Sequence, residues 1–256
     1  MFEALIFDVD GTLADTERDG HRLAFNRAFQ SFGLDWEWDV GLYGELLQVT
    51  GGKERMRHYV QRHRPDLASS DLDALIPALH RQKTQHYTEH LAQGGIPMRP
   101  GVRRLLQEAR AAGVRLAIAT TTTPDNVSVL LRSSLDPSAE AWFEVIGAGD
   151  VVAAKKPAPD IYLWVLERLG LPAHRCLALE DSENGLRASR RAGIPTVVTI
   201  SDYTRDQDFS GAVAVLTDLG DPGEPMTQLA GPDLGREYVD LALLRRWHEA
   251  AGAGPA

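Results

Sequence analysis

Five short stretches of this chain are apolar or β-branched with little alternation: ALIF (4–7), RLAIAT (115–120), CLALED (176–181), TVVTI (196–200) and AVAVL (212–216). Strands buried on both faces read this way. FEVIGA (143–148) follows the pattern more weakly. Between these runs the apolar spacing changes to three and four. PGVRRLLQEARAAG (100–113) opens with Pro, sets Leu105, Leu106 and Ala109 on one face and stops at Gly113. APDIYLWVLERLG (158–170) spaces Ile161, Val165, Leu166 and Leu169 along one stripe, and ENGLRASRRAGI (183–194) repeats the form. Strands alternating with helices predict a parallel α/β sheet.

The stretch from 16 to 95 breaks that alternation, because it contains no convincing strand. It reads as helices over 20–33, 53–63 and 70–91, the last with Pro77 as a candidate bend. The expected division is therefore a catalytic core from 1–15 and 96–256 and a helical cap over 16–95. GTLADTE (11–17) would lead out and the Gly-rich AQGGIPMRPG (92–101) would lead back. An insertion on two linkers over a sheet edge is suited to act as a lid. The tail AAGAGPA (250–256) reads as frayed.

Composition narrows the function. The 256 residues carry a net charge of −9, so neither a nucleic acid nor an anionic membrane is an expected partner. A phosphorylated small molecule would need local positive charge, from a metal or a few Lys and Arg. The single Cys176 excludes an internal disulfide framework. With no run long enough to span a membrane and no secretory pattern at the start, the expected compartment is the cytoplasm.

The chemistry sits where the strands end. After ALIF come Asp8 and Asp10; after RLAIA come Thr120 and Thr121; after CLAL come Glu180 and Asp181; and Lys156 precedes the helix at 158. Two carboxylates closing the most buried segment repel each other and are costly to bury. A plain Asp-Gly turn would not need the second acid. A calcium loop of the EF-hand kind would need Gly and Glu where Leu13 and Asp19 stand. A solvated acidic loop explains neither the apolar run before nor the Gly-Thr after. Thr120 alone could be a helix cap, Lys156 an exposed loop lysine, and Glu180–Asp181 an acidic helix start. Their joint placement at strand ends argues instead for one ligand: carboxylates for a hard Mg²⁺, and a hydroxyl and an ammonium for a phosphate.

DVDGT at the N-terminus, Thr120 after an apolar strand, Lys156 in KKPAPD and LEDSENGLRAS at 179–189 resemble the four motifs of the haloacid dehalogenase superfamily. The helical insertion resembles its C1 cap. DTERDGH (15–21) and TGGKERMRHY (50–59) further resemble the CbbY-like sugar-phosphate phosphatases. The resemblance implies a Rossmannoid parallel-sheet core with an inserted all-helical cap, and Mg²⁺ held by Asp8, the Asp10 backbone carbonyl and Asp181, with Glu180 nearby. It implies Asp8 as nucleophile, Asp10 as acid and base, and Thr120 and Lys156 holding the phosphoryl oxygens. Asp10 matches phosphatases at a position that dehalogenases replace.

The expected activity is hydrolysis of a sugar bisphosphate through an aspartyl phosphate. The subgroup points to xylulose 1,5-bisphosphate, an inhibitor of Rubisco, with any link to Rubisco running through that substrate alone. Substrate contacts are expected from Thr121, from Glu17 and His21 to sugar hydroxyls, and from Gly51, Gly52, Lys53 and Arg55 to a second phosphate. Two alternatives remain at this stage: a mutase of the β-phosphoglucomutase type, which shares the four motifs, and a non-catalytic phosphosugar-binding regulatory protein.

Overall fold

A computed structural model describes residues 1–67, 71–94, 96–232 and 235–252. The start of the helix expected at 70–91, position 95 of the return linker, and the tail from 253 onward lie outside the described residues.

A seven-stranded sheet runs through the molecule: β1 (Ala4–Phe7), β2 (Arg115–Ala119), β3 (Val145–Gly147), β4 (Cys176–Glu180), β5 (Thr196–Thr199), β6 (Ala214–Leu216) and β7 (Gln228–Ala230). Their spatial order is β3-β2-β1-β4-β5-β6-β7. The first six pair in parallel and β7 adds antiparallel to β6. The unalternating apolar runs are explained by burial on both faces. Leu5 and Phe7 enter one core with Leu106, Leu131 and Trp247, while Ala4 and Ile6 enter another with Ile161, Val165 and Ala188. Each buried Leu, Ile, Val or Phe among them contributes about 1.5–3 kcal/mol relative to exposure.

Helices α1 (Arg22–Ser31), α2 (Val40–Leu46), α3 (Gly52–His63) and α4 (Leu72–Ala92) follow β1 without an intervening strand. α4 runs unbroken through Pro77. These helices close over a separate aromatic core in which Trp38 meets Phe25, Phe29, Tyr43 and Tyr59. The sheet layer carries α5 (Val102–Ala111), α6 (Pro124–Leu130), α7 (Asp160–Leu169), α8 (Glu183–Arg191) and α9 (Leu241–Gly252). Among the described residues no helix is long and apolar enough to cross a membrane.

The pattern reading missed α2, α6, α9 and β7. The two short helices, α2 and α6, span seven residues each, too few to display a period. β7 is an edge strand of three residues with little burial, so neither length nor pattern marks it.

Candidate active site

The strand order turns around between β1 and β4: β2 and β3 lie to one side of β1, while β4, β5 and β6 lie to the other. Ligands of open α/β sheets bind outside the carboxyl ends of strands at such a point. The ladder continues one residue past β1, with Asp8 N–H donating to the Leu179 carbonyl at 3.0 Å. That bond sets Asp8 beside Glu180 and Asp181. All three are buried, and one oxygen from each lies within 4.8 Å of the others.

Two glycines make the room. Gly11, at φ +86°, would place a Cβ 2.1 Å from Asp181 Oδ2, and a Cβ on Gly185 would fall 2.0 Å from Glu180 Oε2. Neither position admits a side chain without displacing a carboxylate.

The Lys156 ammonium is the local counter-charge. It bonds Asp8 Oδ1 and Glu180 Oε1, each at 2.6 Å. Burial would lower its pKa, but the two carboxylates outweigh burial and raise it. The Tyr162 hydroxyl donates to Glu180 Oε1 at 2.5 Å, and the Ser201 hydroxyl donates to Asp181 Oδ2 at 3.1 Å. One ammonium does not balance three acids. Burial, only partly opposed by Lys156, pushes Asp8 up to about 8, with Glu180 and Asp10 adding repulsion. Asp181 rises well above the usual carboxylate range, again mainly through burial and then through repulsion from Asp8 and Glu180. An all-oxygen, acid-rich donor set of this kind fits a hard divalent cation, which would offset that repulsion.

The Asp10 side chain turns away from this cluster. Its Oδ1 accepts from the Thr16 hydroxyl at 2.5 Å and lies 2.9 Å from His21 Nε2. Lys83 Nζ lies 2.8 Å from His21 Nδ1. A protonated Lys83 has only donors, so Nδ1 must accept and Nε2 must carry the hydrogen given to Asp10. Burial would raise Asp10, but the His21 ring and then the Thr16 hydroxyl hold it down at about 2. Lys83 packs over the Phe25 and Tyr87 rings, and burial lowers it to about 8.

A cleft of about 430 Å³ opens on Asp8, Asp10, Lys156 and Asp181, with Glu17, Arg55 and Thr121 in its wall. Thr120 is buried at the end of β2. It caps no helix: its hydroxyl accepts the Thr122 N–H at 3.3 Å, and the N-cap position of α6 falls on Thr123. Glu17 and Arg55 are drawn together by Tyr43, whose hydroxyl donates to Glu17 Oε2 and accepts from Arg55 Nη1. Arg55 also donates to the Val49 carbonyl. Gly51, Gly52 and Lys53 stand apart from this cleft and line a second chamber. His21 has both ring nitrogens engaged and is buried behind Asp10, so it serves that carboxylate and not a sugar hydroxyl.

Sequence reasoning did not single out Tyr162, Lys83, Tyr43 or Ser201. A tyrosine inside the apolar stripe of α7 was a usable signal, since a buried phenol needs a partner. Lys83 offered none, because a charge at helical spacing reads as solvated.

The chain matches the model of the haloacid dehalogenase-like hydrolase family over residues 2–193. It belongs to that family. It is 54% identical over 247 residues to the plasmid CbbY protein of Cupriavidus necator, covering 96% of each chain. It also superposes on a crystal structure of CbbY from Rhodobacter sphaeroides in complex with phosphate, at TM-score 0.79 and 47% identity, covering 85% of this chain and 95% of that one. A mutant of that protein, solved in complex with xylulose-(1,5)bisphosphate, matches at TM-score 0.79 and 46% identity over the same shares. The chain falls within the CbbY group of this family and is a phosphatase.

Proposed function

We propose that the chain is a Mg²⁺-dependent phosphatase that removes one phosphate from xylulose 1,5-bisphosphate and acts in the cytoplasm. The observation that carries the reading is the meeting of Asp8, Glu180 and Asp181 with Lys156 at the β1–β4 turning point, with Asp10 oriented separately two residues on. The complex of the Rhodobacter sphaeroides protein with the bisphosphate supports the substrate.

Asp8, Asp181 and the Asp10 carbonyl would hold Mg²⁺, with Glu180 beside them. When bound, the ion supplies positive charge that lowers repulsion between nucleophile and phosphate. Thr120 and Lys156 orient the phosphoryl oxygens. Asp8 Oδ attacks phosphorus, and the P–O bond to the sugar breaks. Asp10, having taken a proton, gives it to the leaving alkoxide. As a carboxylate it then takes a proton from the water that cleaves the aspartyl phosphate. The His21 and Thr16 hydrogen bonds stabilise its ionised form, which suits the second step. The helical segment 16–95 acts as the lid over the cleft.

The test is a phosphate-release screen over sugar mono- and bisphosphates with Mg²⁺ or EDTA. Rapid release from the bisphosphate, lost with EDTA and restored by Mg²⁺, is expected. Asp8→Asn should lose roughly three orders of magnitude. Interconversion of sugar phosphates without net phosphate release would instead make the protein a mutase, and full turnover in EDTA would remove the metal from the mechanism.

A further inference from the structure

The catalytic cleft does not end at Arg55. A small space of about 40 Å³, walled by Asp10, Glu17, Arg55 and Thr122, leads from it past Gly51, Gly52 and His80. These last three residues also wall a second chamber of about 340 Å³, and Thr121 borders all three spaces. The passage is polar and unsatisfied. Thr123 Oγ1 and Asn126 Oδ1 are buried along it and have no hydrogen-bond partner among the described residues, although Asn126 is only 2% exposed.

Two ammonium groups meet at the chamber, one from each side of the molecule. Lys53 Nζ, at the start of α3, lies 2.5 Å from Asp150 Oδ2. Lys155 Nζ, from the loop before α7, lies 2.8 Å from Asp150 Oδ1 and 2.5 Å from the Gly149 carbonyl. Lys155 is thus anchored and nearly buried, while Asp150 stands 65% exposed. With Glu54 also in the wall, the chamber is electrically balanced as it stands. An exposed carboxylate gives up its ion pairs to water at small cost, and a dianionic phosphate between the same two ammoniums would bond both more strongly. Arg55 is less free to do this, because its guanidinium is already committed to Tyr43, Val49 and Glu17.

We infer that the second chamber receives the distal phosphate of the sugar bisphosphate, and that Lys155 of the sheet layer and Lys53 of α3 close on it as a pair, exchanging Asp150 for the phosphate. The inference rests on the bisphosphate reading above and adds Lys155 as a specificity residue. It makes the substrate itself the bridge between helices and sheet. A monophosphate leaves the pair on Asp150.

The test compares wild type, Lys155→Met, Lys53→Met and the double variant on xylulose 1,5-bisphosphate and on p-nitrophenyl phosphate. Each single change should lower the ratio of the two kcat/KM values ten- to hundredfold, mostly through the KM of the bisphosphate. Lys155→Arg should recover part of the loss. The double variant should lose less than the product of the singles, because both groups hold one phosphate. An unchanged ratio in Lys155→Met, or equal losses on both substrates, would overturn the clamp while leaving the substrate reading in place. A wild type that does not prefer the bisphosphate to the matching monophosphate would overturn the substrate reading, and the clamp with it.

Discussion

Replacing Lys83 with Met tests the buried charge behind the acid–base residue. Lys83 is 4% exposed, and its pKa falls from the ordinary 10.5 to about 8, mainly because burial disfavours the charged form. Below pH 8 folded and unfolded chains both hold the proton, so the whole burial cost is present. Between about 8 and 10.5 the unfolded chain still binds a proton that the folded chain has shed, so stability climbs with pH. Above 10.5 neither form is charged, and the climb ends. A fall from 10.5 to about 8 corresponds to roughly 3 kcal/mol. Met has similar reach and no charge, so Lys83→Met should lack this climb. Urea unfolding of both proteins from pH 7 to 10.5 measures it, and taking the difference cancels every other titrating group. The expected result is a wild type that gains roughly 3 kcal/mol on the variant across that interval. Parallel curves would refute the assignment of a charged, desolvated Lys83. The same variant leaves His21 Nδ1 without its donor, so the ring is held only through its Nε2 hydrogen bond to Asp10. Turnover of p-nitrophenyl phosphate should drop by about tenfold, less than the roughly hundredfold or more that a positioned acid–base group contributes directly, because Lys83 acts only through His21.

Asp10→Asn should still bind Mg²⁺ and substrate in calorimetry while losing about three orders of magnitude in turnover; abolished Mg²⁺ binding with the fold intact would contradict the role given to its side chain. Gly11→Ala meets Asp181 and forces a left-handed backbone on a residue with a Cβ, so unfolding should become easier by roughly 2–4 kcal/mol and Mg²⁺ should bind more weakly. A normal urea midpoint for Gly11→Ala would show that the loop can move aside. Mg²⁺ at about a hundred times its Kd should stabilise the wild type by roughly 2.7 kcal/mol, a rise of about 5–10 °C in Tm. Asp181→Asn should lose that rise, and keeping it would place the ion elsewhere.

Much of the sheet was legible because its strands are buried on both sides, so that β1, β2 and β4 show unbroken apolar runs ending in chemistry. Asp8, Lys156, Glu180 and Asp181 could be grouped from one dimension, since every parallel strand delivers its carboxyl end to the same edge. Contacts made by helix faces were not legible. Lys83 reaches His21 across 62 positions, and nothing in the local pattern of α4 distinguishes it from a surface lysine. The separation of Lys53 from Arg55 was also hidden. They are two residues apart on α3, which turns them to different sides of the helix and into different cavities.

Arg99 stands where the chain returns from the helices to the sheet. Its guanidinium is buried and donates to the carbonyls of Gly11, Thr199, Ile200 and Thr217 and to the Thr199 hydroxyl, while Nε lies 3.4 Å from Asp15. One side chain therefore ties the return segment to the loop after β1 and to the ends of β5 and β6. In mechanical terms it is a strain relief, like the collar where a cable enters a housing. A pull on the chain beyond Met98 is taken up by this knot before it reaches Asp8 or Asp181. The spacing of the reacting groups is thereby secured on the sheet side of the join, at the loop after β1 and the ends of β5 and β6.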